Sequence, residues 1–232
     1  MIEKRKFDSL GHFDMGWLNA RHHFSFGEYH DRDRMNWGAL RVWNDDEIRA
    51  GGGFPPHPHR DMEIITYVRS GAITHRDNLG NEGRTEAGDV QVMSAGSGVT
   101  HSEYNREDET TTLFQIWILP AHRGGEARWD AAKFPKEDRA GAWVVLASGN
   151  PERDGGLLIR QDAQVLGATL KPGDVLDYQP APGRSVYLVS AKGRVSVNGV
   201  VLDERDAAAI LDEAHLTVTA EDAAELVMVD AP

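Results

Sequence analysis

The segment Gly51-Gly52-Gly53-Phe54-Pro55-Pro56-His57-Pro58-His59-Arg60-Asp61-Met62-Glu63 carries two imidazoles at positions i and i+2. On an extended backbone side chains alternate between faces, so His57 and His59 point one way and Pro58 the other. Two imidazoles side by side make half of a first-row metal site. Glu63 has the same parity and is a candidate to join them. A second pair at the same spacing, His101 and Glu103, closes the segment 88–103. Antiparallel strands can bring that pair opposite the first. Three imidazoles and a carboxylate then leave coordination positions open to water, substrate or dioxygen. Donor softness favours Fe(II), Mn, Co, Ni, Cu or Zn over Ca or Mg and does not choose among them.

The remaining candidates read as ordinary structure. His22 and His23 are expected in packing or capping roles, with the alternative that they line the mouth of the barrel beside the metal or substrate, and His30, His75 and His122 are expected to be ordinary structural histidines. Trp37, Trp43 and Trp117 are expected to fill a β-core. Gly51-Gly52-Gly53 lacks a strand before it and a helix after it, so it reads as a tight lead-in loop rather than a phosphate cradle.

Strands must position these groups. Short runs rich in β-branched and aromatic residues recur at 40–43, 63–68, 72–75, 90–93 and 113–119. The second half repeats the habit at 143–146, 157–159, 165–170, 185–190, 194–197, 200–202, 216–219 and 226–229. Turn residues separate them, and Asn198-Gly199 between two valine-rich runs predicts a type I′ hairpin. Such spacing predicts a β-sandwich or barrel. One short helix is expected near 128–133. A faint internal repeat relates 66–73 to 187–195 with one residue inserted. It predicts two β-domains, 1–125 and 126–232, with their junction in the Gly-, Pro- and charge-rich stretch 121–139.

Composition sets the outer bounds. The 232 residues are 40% hydrophobic and 27% charged, the balance of a globular protein, and no cysteine is present. That excludes disulfides, thiolate metal sites and a cysteine nucleophile. A formal charge of −12 argues against nucleic acid and anionic membrane surfaces as partners. The opening residues show no apolar signal segment, and the longest apolar runs are too short to span a bilayer, so a cytoplasmic location is expected.

The spacing Gly51-x5-His57-x-His59-x3-Glu63, followed by the segment from Gly88 to His101, resembles the paired motifs of the cupin superfamily. More narrowly, the segments 54–60 and 90–105 resemble the pirin family, as do Trp17-Leu18, the segment 22–26, the segment 40–46 and Phe114-Gln115-Ile116-Trp117-Ile118. The likeness is dense in the first half and architectural in the second. Two departures from the general cupin pattern leave the ligands in place. The terminal glycine comes one residue late, at Gly71, and Ser94 stands where many cupins have proline.

This resemblance implies an all-β bicupin, two jelly-roll cupin barrels in one chain, with one metal ion, commonly iron, in the first barrel. The family's ligands fall on His57, His59, His101 and Glu103, and Glu63 stays outside the shell. In the second barrel the repeat register sets Gln179, Pro180 and Ala181 at the His-x-His place, and only His215 is present, so no metal is expected there. The implied reaction is the opening of a flavonol such as quercetin by dioxygen, a quercetin 2,3-dioxygenase activity. Glu103 would serve as ligand or base. The competing expectation is a metal-bearing regulatory or redox-sensing protein that acts through a protein partner.

Overall fold

The computed structural model describes residues 1–232 and contains twenty-two short strands, with one α-helical turn at Pro151–Asp154 and two 3-10 turns at Phe7–Ser9 and Lys136–Arg139. The strands form four sheets, one of seven and one of four strands in each half. The expected all-β pair of barrels is what the chain forms.

In the first barrel the seven-stranded sheet runs, in spatial order, Arg128–Ala132, Val90–Ser94, Glu63–Ser70, Thr111–Ile118, Leu40–Ile48, Leu18–His22 and Gly11–Asp14. Facing it is the sheet Gly53–His59, Val99–Tyr104, Ala72–Asp77 and Glu82–Glu86. The second barrel repeats the plan. Its larger sheet runs Ile2–Arg5, Ala207–Leu211, Ser185–Lys192, Ala224–Ala231, Gln164–Leu170, Val144–Ser148 and Leu157–Leu158. Its smaller one runs Val175–Tyr178, Leu216–Ala220, Val195–Val197 and Val200–Leu202.

The internal repeat has a structural basis. Strands Glu63–Ser70 and Ser185–Lys192 hold equivalent central places, and each is followed by a glycine at φ 74°, Gly71 and Gly193. The predicted hairpin is present too: Val197 pairs with Val200, and Asn198 and Gly199 have φ of 46° and 84°, both positive as a type I′ turn requires.

Two expectations need correction. Residues 128–133 are not helical; Arg128–Ala132 pairs antiparallel with Val90–Ser94. So short a segment cannot sustain an isolated helix, whereas a free sheet edge supplies a hydrogen-bond partner for each residue. That same strand crosses the expected division at 125/126. In the opposite direction, Ile2–Arg5 joins the second barrel by pairing with Ala207–Leu211. Each half thus lends the other an edge strand, which closes edges that would otherwise be exposed.

The largest apolar cluster lies between the barrels. It holds 25 buried residues, with Phe24, Trp43, Tyr67 and Phe114 from one side and Tyr187, Val189, Val227 and Val229 from the other. Trp43 therefore packs in this seam rather than inside a barrel, and Trp37 donates Nε1–H to Val186 and Ile210 carbonyls of the second sheet. Two-residue periodicity explains the sorting: Ile65 and Tyr67 face the seam, while Ile64, Thr66 and Val68 face the first barrel's interior. At about 1.5–3 kcal/mol per large buried side chain, the seam is a main source of stability for both halves.

The interiors differ. The second barrel is filled by 16 apolar residues, among them Val195, Leu216 and Val218. The first has apolar clusters of only six and four residues, and between them lie buried Thr66, Gln91, His101, Glu103 and Gln115. That polar gap locates the site.

Candidate metal centre

Strand Gly53–His59 pairs on one edge only, with Val99–Tyr104, and it carries Pro55, Pro56 and Pro58. Prolines lack the N–H that a second neighbour would need, so the sequence itself makes this an edge strand. In the register His57 stands opposite His101 and Val99 opposite His59, with an irregularity between His101 and Glu103. On the other flank His101 faces Asp77, and Glu103 faces His75.

The ligand atoms of His57, His59 and His101 lie within 4.8 Å of one another. So do those of His75, His101 and Glu103, which makes His101 common to both groups. His75 is the residue that spacing missed. It is fully buried, and the only clue to it in the sequence was its place on a strand with inward parity.

Hydrogen bonds set the tautomers. His57 Nδ1 is 2.7 Å from the Pro55 carbonyl and donates to it, which leaves Nε2 with a free lone pair. His75 Nε2 is 3.1 Å from an Asp77 carboxylate oxygen, and its Nδ1 is 3.3 Å from Nδ1 of His101. Despite burial, hydrogen bonds from the Asn81 side chain and His75 and from the Asn81 and Leu79 backbones hold Asp77 below the usual carboxylate range. The proton order that follows is Asp77 accepting from His75 and His75 accepting from His101. Nε2 of His101 is then also a lone pair.

That pair sits 3.1 Å from the lone pair on His57 Nε2. Two lone pairs at this separation repel unless they share a cation. Burial, and then His57 and His75, bring His101 down to about 3. Burial, and then His101 and His57, bring His59 down to about 4. Protons are disfavoured there, and neutral imidazoles are what a divalent transition metal requires.

Glu103 is buried and accepts at both oxygens. Gln91 Nε2 donates at 2.6 Å and Thr66 Oγ1 at 3.3 Å to one oxygen, and Gln115 Nε2 donates at 2.7 Å to the other. A carboxylate has about four lone-pair sites, so room for a metal bond is left. Gln91 is held in turn by Thr85 Oγ1 at 3.0 Å.

Glu63 does not share the face of His57 and His59. Asp61 lies between them at φ 50°, in the left-handed region, and the parity count restarts there. Met62 and Ile64 then face the barrel interior, while Glu63 points to the other face of its sheet, where it is buried and accepts from Ser94 Oγ at 2.6 Å. Burial raises its pKa against that bond. Ser94, at the position of the usual cupin proline, thus satisfies the displaced carboxyl.

His57 and His59, together with Glu103, line a cavity of about 620 Å³ whose walls include Phe26, Phe54 and Trp117, and His101 lies behind them, buried. Trp117 stands edge-on to His59, with ring centroids 5.0 Å apart, so this tryptophan lines the cavity rather than filling the core. His22 also lines it, with Nδ1 at 2.8 Å from Asn44 Oδ1, whereas His23 turns to the seam and meets the Tyr187 hydroxyl at 2.9 Å. In the second barrel the strands matching Gly53–His59 and Val99–Tyr104 are Val175–Tyr178 and Leu216–Ala220. Leu176 and Tyr178, rather than Gln179 and Ala181, stand nearest the His-x-His place, and Leu216 and Val218 pack into an apolar interior.

Comparison with known proteins agrees with this architecture. The Pirin family model matches residues 3–118, and a quercetinase C-terminal cupin domain model matches residues 145–231. A pirin-like protein of Caulobacter vibrioides is 63% identical over 100% of both chains. A quercetin 2,3-dioxygenase of Escherichia coli is 41% identical over 100% of this chain and 99% of its own. The crystal structure of the bacterial pirin YhhW from Escherichia coli in complex with nickel(II) superposes with a TM-score of 0.94 at 40% identity, covering 100% of this chain and 99% of that one. With matches across both barrels, the chain belongs to the pirin family.

Proposed function

We propose that the chain is a metal-dependent dioxygenase that opens flavonols such as quercetin, with His57, His59, His101 and Glu103 holding one divalent ion. Iron(II) is the first choice among the first-row metals. The observation that carries this reading is the head-on pair of imidazole nitrogens at the end of a large, aromatic-walled cavity. A metal bound there supplies Lewis acidity and a template for substrate and dioxygen.

The chain's own residues supply the rest. The cavity volume falls in the range that encloses ligands of flavonol size. Phe26, Phe54 and Trp117 offer flat apolar walls to a planar polyphenol and keep water from its reacting ring. Gln91 and Gln115 hold both oxygens of Glu103, so the proton of the substrate's hydroxyl passes to a carboxylate that is already in place.

The test is to incubate metal-reconstituted protein with quercetin and oxygen, following loss of flavonol absorbance and release of carbon monoxide. Turnover with at least one of Fe, Mn, Co, Ni or Cu is expected. No turnover with any of them overturns the reading.

A further inference from the structure

One buried carboxyl in the cavity wall has no partner. Asp46 projects inward from strand Leu40–Ile48, with Asn44 and Ile48 before and after it on the same face. Across the neighbouring strands it is paired with Ala20 and Leu113, both apolar. The residue is 2% exposed and lines the cavity, and its Oδ1 is enclosed without any hydrogen bond.

Its surroundings decide its chemical state. The adjacent Asp45 points to the opposite face, where it is held by Arg69 and, at 2.6 Å, by Arg205. Those cations are spent on Asp45. Burial raises the Asp46 pKa well above the usual carboxylate range, and the charges of Asp45 and Glu103 add to it, with Arg69 opposing only weakly. A lone buried carboxylate among apolar neighbours is costly, and the group avoids that cost by keeping its proton. As a carboxylic acid it is a hydrogen-bond donor with nothing in the protein to receive the bond. Buried polar groups left single in this way call for a partner from outside the chain.

We propose that Asp46 selects the substrate by donating its carboxyl O–H to a carbonyl or phenolate oxygen that the ligand brings into the cavity. This rests on the flavonol reading above and adds to it the group that recognises the ligand's oxygen edge. Asn44 already accepts from His22 through Oδ1, and Gln115 already donates to Glu103, whereas the Asp46 carboxyl makes no hydrogen bond within the protein.

The test compares metal-reconstituted wild type with Asp46→Leu and Asp46→Asn. Asp46→Leu is expected to retain one metal per chain while its KM and Kd for quercetin rise by roughly tenfold or more, the scale of one hydrogen bond to a charged group. Asp46→Asn still offers an N–H and is expected to stay within about threefold of wild type. Unchanged quercetin affinity in a folded, metal-loaded Asp46→Leu overturns the proposal. Infrared difference spectra of wild type against Asp46→Asn at neutral pH give a second readout. A protonated-carboxyl C=O band that shifts on adding quercetin supports the proposal, and absence of that band overturns it. The two readings fail separately: quercetin that binds and shifts the band without being cleaved overturns the dioxygenase reading alone.

Discussion

Nδ1 of His75 lies 3.3 Å from Nδ1 of His101, and this contact turns a residue without any sequence motif into the support of a candidate ligand. His75 is oriented from three sides: by Asp77 at 3.1 Å, by His101, and by Trp129, whose ring stacks on it at 5.0 Å with planes 11° apart. Trp129 has room there because residue 83 is glycine; a Cβ at Gly83 would fall 2.2 Å from its ring. Groups that orient a ligating imidazole typically contribute 10- to 100-fold to metal affinity. His75→Leu is therefore expected to weaken metal binding by about that factor, measured by competition with a chelator, with the protein still folded.

Ligand identity is tested by content rather than affinity. His59→Ala is expected to abolish stoichiometric metal on elemental analysis. Glu63→Gln is expected to leave it unchanged, since that side chain faces Ser94 and not the imidazoles. Metal retained in the first variant, or lost in the second, would show the ligand set to be wrong.

Acid should destabilise the metal-free protein. His59 and His101 titrate at about 4 and about 3 in the folded chain, below the ordinary histidine value of 6.5. The unfolded chain therefore takes up protons first as the pH falls. Stability from these two groups is complete above about pH 6.5 and declines through pH 4 towards pH 3. The melting temperature of apoprotein is expected to drop between pH 7 and pH 4.5. A His59→Ala/His101→Ala double variant should show a smaller drop.

The two halves should not separate. Residues 1–125 alone would expose Phe24, Trp43, Tyr67 and Phe114 and would leave strand Val90–Ser94 without Arg128–Ala132 beside it. Aggregation of that fragment is expected, scored by size exclusion of the soluble fraction. A soluble, metal-binding monomer would show that the seam is dispensable.

The seam also contains a charged group that can be probed singly. Asp45 is fully buried between Arg69 and Arg205, so Asp45→Ala removes the counter-charge of Arg69 and leaves Arg205 with Glu47 alone. A loss of about 3 kcal/mol is expected in urea unfolding, the usual cost of breaking a buried ion pair. A loss below about 1 kcal/mol would place the pair with exposed salt bridges.

Much of the site was legible from local rules. Alternation along a strand is enough to put His57 with His59 and His101 with Glu103, and three prolines are enough to make Gly53–His59 an edge. Asn198-Gly199 likewise specified its own hairpin, because the positive φ of such a turn is a property of those two residues. Where alternation failed, one residue was responsible. Asp61 enters the left-handed region and cancels the parity that made Glu63 a candidate for the set.

What only the tertiary structure decided is everything that depends on which strand lies beside which. His75 became part of the site because register sets it opposite Glu103 and next to His101, and register is a relation between strands that no single strand encodes. The exchange of Ile2–Arg5 and Arg128–Ala132 between barrels follows from where free edges happen to meet. The isolation of Asp46 follows from its apolar cross-strand neighbours and from arginines that turn to Asp45 instead. The sequence by itself determined the donor types, their pairing along each strand and the two-barrel plan. Long-range packing determined which side chains face one another across the cavity, and with that the protonation and partners of each.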